Sequence, residues 1–282
     1  YLCKTRKLPM GKPVNRVLFV NSEIMPFLPE TPIARIGRYL PQGIQERKKE
    51  IRAFMPRYGC INERKNQLHE VIRLSGMNII IGDVDRPLII KVASISSARI
   101  QVYFIDNDDY FRRKQITYDT DGKFFEDNGQ RAIFFARGVL ETVKKLRWAP
   151  DVIHCQGWIS HLVPLYLKKV YNGDPIFSGS RIVTSLYNEI GGEEFPHTFK
   201  DNTLFGGVKG ADVSLLDEPT GINLAETAAL YSDGIILGDK DIDPRLIQFC
   251  HDENIPTLPY NEESIASGRY IEEYDDFYQQ LQ

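Results

Sequence analysis

The first side chains in this sequence that are placed to bind a ligand are Ser22 and Glu23, a hydroxyl and a carboxylate in one loop. They follow residues 17–20, a short apolar run that predicts a strand buried on both faces. The apolar spacing of residues 33–51 predicts that a helix comes next, so strand and helix open a βαβ unit. In open α/β sheets, ligands bind beyond the carboxyl ends of strands. Residues 21–32 are therefore the first place where we expect a functional site.

Five motifs follow one another along the chain. They are Ser22-Glu23-x-x-Pro26-Phe27, Met55-Pro56-Arg57-Tyr58-Gly59, Val102-Tyr103-Phe104-Ile105-Asp106-Asn107, Asp127-Asn128-x-x-Arg131, and Pro150-Asp151-Val152-Ile153-His154 continuing to Trp158. Their order and approximate spacing resemble the glycogen and starch synthases, the bacterial-type glucosyltransferases that use ADP-glucose. Any one motif is weak evidence, but five in sequence order are strong evidence of kinship. The resemblance covers residues 16–188 and is weak beyond them.

The resemblance implies a fold, an activity and a set of site residues. The fold is the N-terminal domain of a GT-B glycosyltransferase, and the activity is transfer of glucose from ADP-glucose to an α-1,4-glucan. No single catalytic residue follows, because this retaining transfer needs a clamp on the diphosphate leaving group more than a strong protein base. The substrate-binding candidates by family position are Ser22, Glu23, Asp127, Asn128, Arg131, His154, Trp158 and Asn188.

The first loop departs from the family pattern. The family follows Pro-Phe with Lys-x-Gly-Gly, which contacts the nucleotide sugar, whereas this chain has Pro29-Glu30-Thr31-Pro32. Glycines there let backbone N–H groups approach phosphate, but proline has no N–H and fixes φ. The carboxylate of Glu30 also repels a pyrophosphate. The loop therefore argues against the ordinary donor site, and neither His161, His197 nor the pair Lys168-Lys169 is supported as a replacement.

The motif around residues 150–160 keeps two family residues and loses two. The family continues after the first histidine with x-His-Asp-Trp-His-Thr, and this chain has Cys155-Gln156-Gly157-Trp158-Ile159-Ser160. Ile159 replaces the histidine that reaches the sugar, and it can neither donate nor accept a hydrogen bond. His154 and Trp158 are retained, and for both we weigh a structural role at a strand end against sugar binding.

Asp127, Asn128 and Arg131 stand at the start of a helix predicted over residues 129–146, and they have two interpretations. In one, Asp127 accepts backbone N–H bonds as a helix cap and Arg131 pairs with an acid. In the other, implied by the resemblance, Asp127 faces the cleft near a sugar. Asn188 matches the last position of the family's Thr-hydrophobic-His-Asn, but asparagine at a strand end is also common turn chemistry.

Composition argues against several other classes of protein. The formal net charge is −3 over 282 residues, so nothing global favours nucleic acid or an anionic membrane as a partner. The four cysteines are scattered, with no Cys-x-x-Cys and no histidine pair at zinc spacing. We therefore expect no metal, no cofactor, reduced thiols and a cytoplasmic location. No apolar run approaches the roughly 18 residues that a membrane span needs.

The elements that position the site are predicted from hydrophobic periodicity. Residues 1–15 are predicted to be an extended arm, and its basic residues are either a solvated tail or a recognition arm. Residues 16–282 are predicted to form one α/β domain, a Rossmann-like and mainly parallel sheet with helices on both faces. Predicted strands include residues 17–20, 52–56, 79–81, 88–95, 100–105, 152–154, 181–186 and 234–238, and predicted helices include 33–51, 129–146, 158–170, 224–231, 243–251 and 262–281. The last helix is amphipathic and is expected to pack back on the domain.

Three functional hypotheses remain open. Residues 239–282 are only about a quarter of the size of a second domain, which in the family supplies an arginine, a lysine and a glutamate to the donor site. We therefore expect no activity from the isolated chain. It is either a glucan synthase completed by a partner chain, a pseudoenzyme that binds a sugar or nucleotide in a regulatory role, or a structural subunit of an oligomer. The expected ligand is ADP-glucose or a glucan.

Overall fold

A computed structural model describes residues 13–281. The basic residues of the predicted arm, Lys4, Arg6, Lys7 and Lys12, lie outside the described residues. The strands are β1 Arg16–Asn21, β2 Glu50–Pro56, β3 His69–Glu70, β4 Met77–Ile81, β5 Val84–Ile95, β6 Ile100–Asp106, β7 Val152–Gln156, β8 Arg181–Leu186, β9 Gly234–Leu237 and β10 Thr257–Leu258. The helices are α1 Pro32–Glu46, α2 Glu63–Asn66, α3 Asp108–Phe111, α4 Asn128–Leu146, α5 Val163–Lys169, α6 Thr198–Thr203, α7 Gly221–Leu230, α8 Pro244–Asp252, α9 Glu262–Ser267 and α10 Tyr270–Gln280, with 3-10 turns at Trp158–Ser160 and Gly210–Asp217.

The strands form one mostly parallel sheet in the order β10-β9-β8-β7-β1-β2-β6-β5-β3, and β4 pairs with β5. Pairing is parallel from β10 through β6. It is antiparallel where β5 meets β6, β3 and β4. Val17, Leu18, Phe19 and Val20 in β1 are fully buried, as a central strand covered on both faces requires. The predicted α/β fold is confirmed.

Helices cover the two faces because the chain winds in both directions from β1. The path from β1 through α1 to β2 and β6 runs toward one edge, and the path from β7 through α5 and α7 to β9 runs toward the other. Right-handed crossovers place these two sets of helices on opposite faces. The contacts agree, since α1 touches α10 while α4 touches α5 and α5 touches α7. No helix within residues 13–281 is long and apolar enough to cross a bilayer.

The four strands predicted at residues 17–20, 100–105, 152–154 and 181–186 are all present. The helix predicted over residues 33–51 ends at Glu46, because Lys48 has a positive φ of 63° and Ile51 pairs with Val17 in the sheet. The helix predicted over residues 158–170 is split into the turn Trp158–Ser160 and α5. Apolar spacing continues across both boundaries, so it does not locate them.

The segment 262–281, predicted as one helix, forms two helices. Gly268 ends α9 in the left-handed conformation at φ 81°, and α10 begins two residues later. Glycine adopts this conformation readily, which makes it the usual residue after a helix end. Helix α10 contacts α1, so the segment returns to the domain as two helices.

Helix α10 is joined to the sheet by a hydrogen bond to His154 in β7. The Tyr278 hydroxyl lies 2.7 Å from His154 Nδ1, and Ser185 Oγ lies 2.7 Å from His154 Nε2. Both ring nitrogens are therefore satisfied in a fully buried imidazole, and burial lowers the pKa of His154 to about 3. His154 thus has a structural role between sheet and helix.

Replacing Tyr278 with phenylalanine should destabilise the protein by about 1–3 kcal/mol, because it leaves a buried His154 nitrogen without a partner. Urea unfolding followed by circular dichroism measures the change. Tyr274→Phe is the matched control, since the Tyr274 ring also packs on His154, with centroids 6.2 Å apart, while both ring nitrogens of His154 are bonded to Ser185 and Tyr278 instead. Equal losses in the two variants would contradict the role assigned to the Tyr278–His154 bond.

Candidate functional site

The candidate site lies where the sheet changes its winding direction. Strand β1 has β2 on one side and β7 on the other, and the connections leave these neighbours toward opposite edges. The carboxyl ends of β1 and β7 therefore border the crevice where open α/β sheets bind ligands. The backbone N–H of Ser22 donates to the Gln156 carbonyl at 2.8 Å and joins the two strand ends.

Gly157 and Ser22 make a close contact at the bottom of this cleft. Gly157 has φ 87° and ψ 155°, a region that is essentially restricted to glycine. A Cβ atom at this position would lie 2.0 Å from Ser22 Oγ. Ser22 is 3% exposed. Only a glycine therefore lets the β7 loop lie directly on Ser22.

Uncharged polar atoms collect at these two strand ends. Both side-chain polar atoms of Asn21, the hydroxyl of Ser22 and Oε1 of Gln156 are buried and have no hydrogen-bond partner among residues 13–281. Asn21 and Gln156 face each other in the β1–β7 pairing. Native proteins pair most of their buried polar atoms, so such a group indicates a place where a ligand or solvent is bound.

Glu23 is tied to the start of α1. Its Oε2 accepts a hydrogen bond from Thr31 Oγ1 at 2.5 Å, and the same Thr31 oxygen caps α1 by accepting from the Ala34 N–H at 3.0 Å. Burial raises the pKa of Glu23, and the Thr31 hydrogen bond opposes that rise. The candidate carboxylate is therefore present in the cleft, but part of its hydrogen-bonding capacity is used inside the loop.

Glu189 is a second carboxyl group of the cleft, and it is not among the site residues predicted from the sequence. It follows β8, and its Oε2 accepts from the Trp158 N–H at 2.8 Å. Burial raises the pKa of Glu189 to about 8, with the Trp158 N–H opposing and the negative charge of Glu23 adding to the rise. The strand-end rule that selected Ser22 and Glu23 also applies to this residue.

Trp158 forms an aromatic wall of the cleft and is 4% exposed. Its ring lies 6.1 Å from that of Phe124 and 6.3 Å from that of Phe195, measured between centroids. Asn188 lies exposed in the loop after β8, next to Glu189. The structure thus brings Ser22, Glu23, Trp158 and Asn188 to the same end of the sheet, where predicted site residues were expected.

Asp127, Asn128 and Arg131 form a separate group at the start of α4. Arg113 Nη2 contacts both carboxylate oxygens of Asp127 at 2.7 Å, and the Asp127 side chain makes no helix-cap bond. Asn128 donates to the Thr117 carbonyl at 2.9 Å and accepts from Arg131 Nη1 at 2.6 Å. The capping interpretation of Asp127 is therefore wrong, because its carboxylate pairs with Arg113 instead.

Arg131 is 1% exposed and forms no ion pair with an acid among residues 13–281. Its guanidinium lies 5.3 Å from the centroid of Phe111, and burial lowers its pKa to about 10. The expected pairing of Arg131 with an acid is therefore wrong. Tyr58 connects this group to the cleft. Burial is the main cause that raises the pKa of the Tyr58 hydroxyl; Arg131 lowers this pKa, and Glu23 and Glu189 raise it further. A sugar contact by Asp127, Asn128 or Arg131 stays a prediction.

The described residues contain no evident metal site. Across residues 13–281, no group of three or more histidine, cysteine, aspartate or glutamate side chains could hold a metal ion.

Comparisons with known proteins agree on one family. Residues 16–241 match the family model described as the starch synthase catalytic domain. A glycogen synthase from Chlorobium luteolum is 34% identical over 240 residues, which cover 78% of this chain and 47% of that protein. A glycogen synthase from Pelodictyon phaeoclathratiforme is 38% identical over 174 residues, 61% of this chain and 36% of that protein. The chain therefore spans at most about half the length of these curated relatives.

A solved structure has the same fold. The catalytic domain of starch synthase IV from Arabidopsis thaliana, bound to ADP and acarbose, superimposes with a TM-score of 0.68 at 15% identity. The match covers 88% of this chain and 51% of that one.

Substituting Gly157 with alanine should destabilise the protein by more than the roughly 1–3 kcal/mol of backbone strain, because the new Cβ collides with Ser22. Gly122→Ala is the control, since Gly122 also has a positive φ of 79° but has open space around it. Urea unfolding of both variants separates strain from collision. An equal loss in the two variants would show that the close contact at Ser22 is unimportant.

The stability of the protein should depend on pH through Glu189. Between its ordinary pKa of 4.5 and its folded pKa of about 8, the folded state binds more protons at Glu189 than the unfolded state does. The free energy of unfolding contributed by this group therefore falls as pH rises through that window. Glu189→Gln should remove this contribution, so the variant should gain most over the wild type near pH 8.

Thermal unfolding at pH 5, 6, 7 and 8 tests this pH dependence. The difference in unfolding temperature between variant and wild type at each pH isolates the contribution of Glu189, because the buried histidines are the same in both proteins. Glu194→Gln, at an exposed glutamate five residues away, is the control. Parallel pH profiles for the wild type and Glu189→Gln would refute the prediction.

Proposed function

We propose that this chain, which belongs to the starch synthase catalytic domain family, acts in α-glucan metabolism and binds the glucan in its cleft. The associated reaction is the transfer of glucose from ADP-glucose to an α-1,4-glucan. In this proposal the 282-residue chain does not catalyse the transfer by itself. It provides one wall of a site whose other wall comes from further polypeptide, of the same chain or of a partner.

The observation that carries the proposal is the closed N-terminus of α1. A helix N-terminus beside a switch point is ordinarily a good site for phosphate, because its N–H groups point outward unpaired. Here Pro32 has no N–H, the Ala34 N–H donates to Thr31 Oγ1, and the Arg35 N–H donates to the Thr31 carbonyl at 2.9 Å. Pro32 thus offers no donor, and the chain's own cap occupies that of Ala34.

Charge in the cleft supports the same conclusion. Glu23 hydrogen-bonds to the residue that caps α1, and Glu189 lies close enough to Glu23 to raise its own pKa. Exposed Glu30 pairs with Arg35 at 3.4 Å, which occupies the nearby cation. Carboxyl groups whose pKa values are raised, beside a cation that is already paired, offer a diphosphate no positive charge. They accept hydrogen bonds from sugar hydroxyls, and the Trp158 wall and the unpaired atoms of Asn21 and Ser22 suit the same uncharged ligand.

The second candidate is a regulatory glucan-binding protein without transfer activity in any assembly. The two carboxyl groups in place of a phosphate clamp favour it, because they supply no positive charge to the leaving group that the family reaction must stabilise. Both candidates share glucan binding by one domain formed by residues 16–282. We place this activity in the cytoplasm, where the free thiols of Cys155 and Cys250 stay reduced.

The 282-residue chain should extend a maltooligosaccharide primer from labelled ADP-glucose at less than a hundredth of the rate of an authentic glycogen synthase. Removal of one preorganised donor to a developing negative charge costs about 10²–10³ in rate. Here a loop lysine and two backbone donors are replaced together. Pro29→Lys combined with Thr31→Gly and Pro32→Gly should also remain inactive, because the chain spans about half the length of its relatives.

Isothermal titration separates the two ligands in the same preparation. Maltotetraose should bind, and ADP-glucose should bind more weakly or not at all. Primer extension within a hundredfold of the control enzyme, or tighter binding of ADP-glucose than of maltotetraose, would overturn the proposal.

A further inference from the structure

A small pocket adjoins the cleft on the side of α7 and α8. Its volume is about 200 Å³, and it lies behind the loop that follows β8. The residues that matter for its chemistry are Trp158, His161, Asn188, Glu189, Ile222 and Asp243. The pocket is several times larger than the roughly 30 Å³ of a water molecule and smaller than the roughly 300–1,000 Å³ of sites for drug-sized ligands. Its size therefore suits one small ring.

His161 is the unusual residue of this pocket. It is 3% exposed, and neither ring nitrogen has a hydrogen-bond partner among residues 13–281. Burial lowers the pKa of His161 to about 3, so the imidazole is neutral near pH 7 and offers one donor and one acceptor. Burying a polar ring without partners is costly, and native proteins rarely do so unless another group completes the bonds.

His154 provides an internal comparison. Both histidines are buried, but each nitrogen of His154 has a hydroxyl partner at 2.7 Å. The fold therefore satisfies a buried imidazole where the role is structural. His161 has the same chemical needs and lines a pocket instead.

We propose that this pocket binds a single uncharged sugar residue, whose hydroxyl groups complete the hydrogen bonds of His161. The proposal rests on the glucan-binding function argued above. The pocket would be a subsite of the glucan-binding cleft, on the side away from the ends of β1 and β7. A hydroxyl group donates and accepts, which matches the one donor and one acceptor of a neutral imidazole.

The remaining lining residues select against anionic ligands. Asp243 contributes a carboxylate and Glu189 a carboxyl group whose pKa burial raises, and no lysine or arginine lines the pocket among the described residues. Asp243 uses Oδ1 to accept from the Arg245 N–H at 2.8 Å, which still leaves Oδ2 for other partners. A phosphate would be repelled, whereas sugar hydroxyls donate to carboxylates. Trp158 adds an apolar wall for the face of the ring.

Nuclear magnetic resonance of the imidazole nitrogens tests the proposal on the 282-residue chain. Maltose is the probe and ADP is the anionic control. Saturating maltose should shift the ¹⁵N resonances of His161 and leave those of His154 unchanged. His161→Leu should weaken maltose binding about tenfold or more, the effect of losing one to two hydrogen bonds. The same variant should unfold at the same or a higher temperature, because it removes an unsatisfied buried group.

His251→Leu is the matched control, since the exposed His251 lies on α8 away from the pocket lining, and it should bind maltose as the wild type does. If His161→Leu does not fold, Ile222→Phe decides the question, because it fills the pocket from α7 with His161 intact and should also weaken maltose binding.

Unshifted His161 resonances, unchanged affinity in the variant that folds, or a His161 response to ADP instead of maltose would each overturn the proposal. Maltose binding that shifts the Trp158 indole but not His161 would overturn this subsite alone, whereas absence of any maltose binding would overturn the glucan-binding function as well.

Discussion

The contact between Gly157 and Ser22 sets the geometry on which the site depends. Two parallel strands end side by side, a backbone hydrogen bond from Ser22 to Gln156 joins them, and the β7 loop then turns through a conformation that only glycine adopts readily. This turn directs the Trp158 N–H toward the Glu189 carboxylate. The first loop, the β7 loop and the β8 loop are thereby connected through one point, so a change at Gly157 alters three walls of the cleft together.

Electrostatics then determine what this geometry can bind. Two carboxylates with raised pKa values share a cleft whose nearest helix N-terminus is closed by its own cap. In the proposed function this arrangement weakens the attraction for a diphosphate, because Pro32 has no N–H, Thr31 caps the Ala34 N–H and Glu30 already pairs with Arg35. An uncharged ligand loses no binding energy through this arrangement of charges. In the proposed function the fold of the family is kept, and the preference for a charged donor is weakened at the residues that would hold it.

The sequence predicted the sheet well because its central strands are short, apolar and separated by helical spacing, as Val17 to Val20 illustrate. It predicted element boundaries less well, since apolar spacing continues through Gly268 and only the positive φ of that residue ends α9. Motif resemblance located Ser22, Glu23, Trp158 and Asn188 at one end of the sheet. It did not select Glu189, which only the strand-end rule indicates, or His161, whose unpaired nitrogens depend on tertiary packing that a motif does not describe.

Buried polar groups at the candidate site differ in their bonding from two buried polar groups that hold the fold together. His154 and Asn128 are buried with partners for their polar atoms, and each ties a distant segment to the sheet or to α4. Asn21, Ser22 and His161 are equally buried, and their side-chain atoms have no partners within residues 13–281. An unpaired buried group costs about 1–3 kcal/mol, so a fold that carries several at one end of its sheet is under strain there unless a ligand completes them. At this end of the sheet, the unpaired atoms of Asn21, Ser22 and His161 therefore indicate more about ligand binding than the polarity of their residue types does.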